Sequence, residues 1–555
     1  MPKYKAIEPI RIENRQWPDQ QITSSPRWCA VDLRDGNQAL PNPLTLDQKK
    51  EYYQLLLDIG FKEIEVGFPS ASKDDYDFCR WLIDEKQIPD DVMISVLAPS
   101  RPDLIEKTME ALKDYPQALV HIYVATSDLH REHVLGKTRE ETINIVRDSI
   151  ATIKECAAIQ KETRFYLEFS PEEFTDTDLD FAIEICDDVV EQWDPEEGET
   201  VILNLPATVE RRPPTHYADM IEVFMKKLKT KQAVISLHAH NDMGCAVAST
   251  EMALQAGAHR VEGTLFGHGE RSGNVDMVTL ILNLQYMGID TGMDFSNLVE
   301  INETVSRLTQ MRPHARHPYV GDLVFSAFSG SHQDAIHKCL VRKDEMMDHF
   351  GQWKIPYLHV DPADVGRNFE KFIRINSQSG KGGIAHMIEL EHNIKLPRQF
   401  QVALAKKVQA YAEEVSREIT SDELTDVFKA NFMITDSPIE LIKYWPYPDE
   451  NKPSLIHGKV ELKFNGEAKT LEADDDGPIA AFVAACRLLD LPDFELVKYE
   501  EDSIGKGAKA EAVTFVTLKN KKSKAISYGI GTHSNIDQAA VKAIVAALNH
   551  LINNG

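Results

Sequence analysis

Two histidines one residue apart, His238-Ala239-His240, close the apolar run Ala233–Ala239. On a strand, residues i and i+2 share a face, so both imidazoles point one way and Ala239 the other. A carboxylate beside them completes a set of two nitrogens and one oxygen with open positions, which suits a divalent metal. Asp35 in Arg34-Asp35-Gly36-Asn37-Gln38 is the candidate carboxylate, and Asn274 can add a neutral oxygen. Taken alone, His-x-His also reads as a polar strand end; Asn241-Asp242 and Asp35 favour the metal. Arg34, a cation next to the ligand, suits a substrate carrying a carboxylate and a keto oxygen, although the same stretch also reads as a capped β-to-α turn.

Other stretches carry two readings. Glu270-Arg271 is either a surface ion pair or an orienting pair beneath the site, and Gly267-His268-Gly269 is too short to be a phosphate cradle. Phe328-Ser329-Gly330-Ser331-His332-Gln333-Asp334 is unusual for a helix, since Gly and Ser weaken it. His332 reads as an acid or base, or as a solvated helical His, and Tyr357 as a packing residue. Ser377–Gly383 lacks the glycine spacing of a Walker motif and reads as a flexible linker. Asp474–Asp476 reads as the first turn of a helix.

The elements that must position these residues follow from periodicity. Eight short apolar runs alternate with amphipathic stretches up to about residue 290: 28–33, 63–68, 92–98, 118–125, 164–169, 200–205, 233–239 and 260–266. Eight such runs in about 250 residues predict a (β/α)8 TIM barrel, with an open doubly wound sheet as the alternative. Polar residues gather at the ends of the runs, where barrel enzymes place their chemistry. Residues 1–320 are read as the barrel with an N-terminal extension, and 321–440 as helical linker subdomains. Helices are expected over 322–340, 362–375, 397–419 and 420–432, the last opened by a Thr420/Glu423 capping box. The remainder, 441–555, is read as a C-terminal α+β regulatory domain after a 445–453 loop. It carries an internal repeat of strand, Gly-containing turn and Ala-rich helix at 469–489 and 525–548.

Composition narrows the function. With 61 basic and 88 acidic residues, a net charge of −27, the chain repels phosphate backbones and anionic lipid, so neither nucleic acid nor membrane is an expected partner. Seven scattered Cys without C-x-x-C spacing fit reduced thiols. With no apolar span or signal-like start, a cytoplasmic location is expected.

At 27–38, 204–210, 238–244, 267–274, 317–319, 328–334 and 361–367 the chain resembles the long (type 2) form of the 2-isopropylmalate synthase family. That family lies within the acyl-CoA Claisen-condensing group, which includes citramalate and homocitrate synthases. The resemblance implies that Asp35, His238, His240 and Asn274 bind one divalent metal (Mg, Mn or Zn). It implies that Arg34, His121, Ser170 and Thr208 line the 2-oxo acid pocket, and that Glu172, His332 and Tyr357 serve near the acetyl group of the co-substrate acetyl-CoA. Arg34 would stabilise a developing alkoxide, and His332, poised by Glu172 or Tyr357, would take the methyl proton. The implied reaction joins acetyl-CoA to 2-oxoisovalerate, with thioester hydrolysis, giving 2-isopropylmalate and CoA as the first committed step of leucine biosynthesis. The resemblance also implies a homodimer with helices of one subunit over the barrel mouth of the other, and leucine as feedback inhibitor. Three positions depart from it: His268 where Asn is expected, Val320 where Gly is expected, and a basic 504–510 stretch in the effector region. The alternatives are a sibling synthase using pyruvate or 2-oxoglutarate, a lyase on the same barrel, and a non-catalytic amino-acid sensor.

Overall fold

The computed structural model describes residues 3–327, 330–367, 381–415, 417, 419–452, 454–504 and 510–553. They divide into two compact units, Met1–Val324 with Pro362–Arg367, and Phe325–Asp361 with Asn368–Gly555. The first is a closed barrel of eight parallel strands in sequence order. These are β1 (Arg27–Ala30), β2 (Glu63–Gly67), β3 (Met93–Pro99), β4 (Gln117–Ala125), β5 (Arg164–Glu172), β6 (Val201–Ala207), β7 (Ala233–Ala239) and β8 (Arg260–Gly263). Closure is direct: Arg27–Ala30 pairs residue for residue with Arg260–Gly263. The barrel reading therefore holds and the open sheet does not.

The helices between strands carry the caps their sequences promise. Thr45 and Gln48 form a capping box for helix Leu46–Ile59, and Thr138 and Glu141 do the same for Arg139–Ile159. The interior is less ordinary. Glu63, Glu65, Glu168, Ser236, Arg260 and Glu262 alternate with apolar residues along the strands and are all buried. Burying charge is costly unless it is paired, and here every charge finds a partner. Arg260 donates to Glu63 (2.7 Å), Glu168 (3.0 Å), Glu262 (2.7 Å) and Ser236 (2.8 Å).

The second unit contains helices Gly330–Leu340, Lys343–Phe350, Lys381–His392, Arg398–Val415 and Ser421–Phe432. Two antiparallel sheets follow. One orders β9 (Ile439–Pro448), β10 (Ile456–Phe464) and β11 (Glu467–Asp475) as β11-β10-β9. The other orders β12 (Phe494–Ile504), β13 (Glu511–Asn520) and β14 (Ile526–His533) as β12-β13-β14. Each three-strand sheet is followed by a helix, Pro478–Cys486 and Ile536–Asn553.

Several local expectations are corrected. Residues 322–325 form turns rather than helix, Gly330–Leu340 are helical, and Phe328 and Ser329 lie outside the described residues. Pro362–Val365 is a short 3-10 turn, and 368–375 lie outside the described residues. Of the expected linker 377–383, Ser377–Gly380 lie outside the described residues, whereas Lys381–Gly383 open a helix. Asp474 and Asp475 end β11 through register with β10, so the helix starts after Gly477 at Pro478. Trp445–Pro448 belong to β9 rather than to a loop.

Helix Ile536–Asn553 seats on β14 through two glycines. A Cβ at Gly529 would fall 2.0 Å from the Ala543 carbonyl oxygen, and one at Gly531 would fall 2.1 Å from that of Ala539. The helix face opposite is lined by buried Ala539, Ala540, Ala543 and Ala547, which leave room for this approach. Gly529→Ala is expected to destabilise the second unit by about 3 kcal/mol, at the upper end of overpacking costs. Guanidinium titration followed by circular dichroism checks it, and an unchanged midpoint would show that the helix does not rest there.

Candidate active site

The barrel mouth is built outward from the strand ends. After β1 the chain makes a wide, π-type helical turn over Asp32–Gly36, in which the amides of Arg34, Asp35 and Gly36 all converge on the Val31 carbonyl. Asp32 anchors this turn by accepting from Tyr52 Oη (2.7 Å) and from the Leu265 amide (2.8 Å). Burial pushes its carboxyl up to about 7 against those bonds. The turn thereby presents Arg34 and Asp35 inward, both buried.

His238 and His240 come from the end of β7 on one face, with ring centroids 5.3 Å apart. His238 Nε2 stands 3.4 Å and His240 Nε2 3.9 Å from Asp35 Oδ2. One donor atom from each of the three residues falls within a 4.8 Å cluster. Asn274 reaches this region on a sharp loop: its backbone bridges to His240, and its amide donates to the His268 carbonyl at 2.9 Å. Gly273 makes the loop possible, since its φ is +92° and a Cβ would lie 1.9 Å from the Gly267 oxygen. A backbone carbonyl at 268 orients Asn274 whatever the side chain there, so His268 does not disturb the arrangement.

These residues fit a divalent ion. Asp35 Oδ2 and Asn274 Oδ1 are buried with no hydrogen-bond partner, although buried polar atoms normally find one. The proton distribution agrees. Burial works against charge on His238, yet Asp35 and Glu262 raise it to about 9, while burial and the charge of His238 lower His240 to about 4. Despite its burial, Asp35 is held well below the usual carboxylate range by Arg34 and His238. The cluster thus attracts positive charge between a carboxylate and two imidazoles.

Around it runs a closed ring of buried contacts. Arg34 binds Asp35 through Nη1 (2.6 Å) and Glu65 through Nε, and Glu65 meets His121 Nδ1 at 2.7 Å. His121 Nε2 lies 2.8 Å from Ser170 Oγ, to which Asn204 Nδ2 donates at 3.0 Å. Asn204 also donates to Glu262, which faces His238 Nδ1 at 2.9 Å. The cavity above, about 170 Å³, is lined by the polar Arg34, Asp35, His121, Ser170, Thr208 and Glu172 and by the apolar Phe68, Leu97 and Pro206. Burial pushes the Glu172 carboxyl up. Arg271 binds Asp242 (2.7 Å) and the Thr208 carbonyl (2.6 Å), tying three rim loops together. Arg271 also pairs with the exposed Glu270 at 3.6 Å, so the surface ion pair is present beside the contacts that tie the loops.

Three family descriptions match successive parts of the chain: HMGL-like over residues 25–305, alpha-isopropylmalate synthase, post-catalytic domain-like, over 322–389, and LeuA allosteric (dimerisation) domain over 418–552. A 2-isopropylmalate synthase of Acetoanaerobium sticklandii is 43% identical over 551 residues, covering 99% of this chain and 96% of that one. Those of Parvibaculum lavamentivorans and Rhodospirillum rubrum are each 44% identical, covering 99% of this chain and 95% and 98% of theirs. The chain belongs to the 2-isopropylmalate synthase family.

In this member of the 2-isopropylmalate synthase family, Arg34, Asp35, His121, Ser170, Glu172, Thr208, His238 and His240 all line one cavity, and Asn274 adjoins it through His240. His332 and Tyr357 lie in the second compact unit, where their rings stack at 3.8 Å and 20°. Phe328 and Ser329, next to His332, lie outside the described residues, as do Gly505–Lys509 of the basic 504–510 stretch. Val320 is buried, and its carbonyl, with those of Tyr319 and Gly321, receives Arg367 Nη1. Sequence reasoning gave no role to Arg260 and Glu262, and took Asn204 only as a polar residue at the end of the sixth run. For Arg260 and Glu262 the signal is polar character at every second position, Arg260-Val261-Glu262; for Asn204 it is a single polar residue inside an apolar strand. Among the described residues no helix is long and apolar enough to cross a membrane, and all seven cysteines are free thiols.

Proposed function

We propose that this chain condenses acetyl-CoA with 2-oxoisovalerate and hydrolyses the thioester, releasing 2-isopropylmalate and CoA as the first committed step of leucine biosynthesis. The observation that carries the reading is the convergence of Asp35, His238, His240 and Arg34 at one barrel mouth in a chain of this family. Asp35, His238, His240 and Asn274 would hold one divalent ion, Mg, Mn or Zn. When bound, such an ion acts as a Lewis acid on a keto carbonyl and orients a carboxylate beside it.

The protein's own groups do the rest. Arg34 has Nε and Nη1 committed to Glu65 and Asp35, which fixes the guanidinium plane and leaves Nη2 for an oxygen that gains charge as the new bond forms. His121, Ser170 and Thr208 bind and orient the oxo acid, and the phenyl of Phe68 with Leu97 and Pro206 offers an apolar wall for its branched end. His332 is assigned the removal of the acetyl methyl proton, with Tyr357 against its ring and Glu172 as a further acid or base. The match to an allosteric dimerisation domain over 418–552 supports a homodimer and leucine as its inhibitor. Reduced thiols and the biosynthetic role support a cytoplasmic location.

The test follows free CoA thiol from the purified chain with acetyl-CoA and, separately, 2-oxoisovalerate, pyruvate and 2-oxoglutarate. Fast release with 2-oxoisovalerate, abolished by chelation, is expected. Preference for another oxo acid would assign a sibling synthase, and no release with Mg, Mn or Zn would overturn catalysis in favour of a sensor. Metal removal is also expected to lower thermal stability. An ion at 100 times its Kd stabilises the native state by about 2.7 kcal/mol, so the melting temperature should fall on chelation and return on adding Mn.

A further inference from the structure

Glu262 lies beneath the pocket, 1% exposed, and serves His238, Asn204 and Arg260 at once, with the Glu168 carboxyl also against it. Its Oε2 faces His238 Nδ1 at 2.9 Å and accepts from Asn204 Nδ2 at 3.0 Å, while Oε1 accepts from Arg260 Nη1 at 2.7 Å. Arg260 is itself immobilised by Glu63, Glu168 and Ser236, so it cannot follow Glu262 if that carboxylate swings. An ionised carboxylate only accepts, so Nδ1 of His238 keeps its hydrogen toward Glu262, and Nε2, the atom that faces Asp35, is the nitrogen free to exchange its proton for an ion. On its other side, the same Asn204 amide holds Ser170 Oγ, which His121 also meets. One carboxylate therefore touches both halves of the pocket.

We infer that Glu262, anchored by Arg260, is a positioning residue. It selects the Nε2 donor of His238 for the metal and, through Asn204, holds Ser170 in register on the oxo-acid side. The inference rests on the reading that Asp35, His238 and His240 hold the ion. Partners of this kind behind a ligating histidine typically change metal affinity by about 10–100-fold when removed.

Two substitutions separate position from charge. Glu262→Asp keeps the negative charge facing Arg260 and withdraws the oxygen from His238; Glu262→Gln keeps an oxygen within reach and gives up the charge. The full chain is stripped with chelator, its fold checked by circular dichroism, and Mn2+ affinity measured from the paramagnetic resonance of free Mn2+. Glu262→Asp is expected to weaken Mn2+ binding about 10–100-fold and Glu262→Gln less, with KM for the oxo acid rising in the same order. Glu262→Asp binding Mn2+ like wild type, or as tightly as Glu262→Gln, would overturn the inference while leaving the metal reading intact. A wild-type chain that binds no Mn2+ would overturn both. Should Glu262→Asp not fold, a crystal structure of the Mn2+-loaded wild type decides. An ion on Nε2 with Nδ1 still on Glu262 upholds the assignment, and an ion on Nδ1 removes it.

Discussion

Asp35→Asn is expected to reduce turnover by about a thousandfold or more and to weaken divalent-ion binding beyond the 10–100-fold typical of losing an outer partner. The substitution preserves shape and removes charge. In the native chain Asp35 is the carboxylate that faces both imidazoles, at 3.4 and 3.9 Å, and the partner of Arg34 Nη1 at 2.6 Å. An amide in its place leaves two neutral nitrogens and a neutral oxygen for a dication, and offers Arg34 no counter-charge on that side. Steady-state rates at saturating Mn2+ and direct Mn2+ titration check both halves. Turnover within tenfold of wild type, with an unchanged metal requirement, would remove Asp35 from the site.

Arg34→Lys is expected to lower kcat by about 10²–10³, or about 2.7–4 kcal/mol, with little effect on KM for acetyl-CoA. The exchange keeps the charge, so a purely electrostatic role predicts a small loss. The structure argues for a large one. Arg34 uses two edges of its planar fork at once, Nη1 on Asp35 and Nε on Glu65, and an ammonium on a flexible stem cannot reproduce that pair of directions. Glu65 is fully buried and also meets His121, so releasing it disturbs the oxo-acid side of the pocket as well. Steady-state kinetics with the oxo acid varied, alongside Mn2+ titration, separate the two. A kcat within tenfold of wild type would show that the fork geometry is not used in turnover.

The strand runs and the His-x-His spacing are legible in the sequence because both are local. Period two follows from the backbone of a single strand, and eight runs with intervening helices admit few topologies. The same logic applies to the interior polar positions Glu63/Glu65, Ser236/His238/His240 and Arg260/Glu262, whose spacing places each set on one face. Their meaning is not legible, because a buried carboxylate is tolerable only with its partner, and the partner of Glu65 is 56 residues away in His121. The second unit is harder to read for a related reason. Composition alone does not say whether Lys381-Gly382-Gly383 is a linker or a helix start. The helix these residues open, Lys381–His392, is stabilised by packing its apolar face against residues far along the chain.

By itself, then, the amino-acid order determined the barrel, the side on which its chemistry gathers, and the residue types able to hold an ion and an oxo acid. These follow from local periodicity and from donor chemistry, which need no neighbours to be read. Only the tertiary structure decided which carboxylate backs His238, how Asn274 is turned, and that Arg34, Glu65, His121, Ser170, Asn204, Glu262, His238 and Asp35 close into one ring. The physical reason is closure of the sheet. Bringing β1 against β8 places side chains separated by more than two hundred residues within hydrogen-bonding distance, and burial then makes every such pairing obligatory.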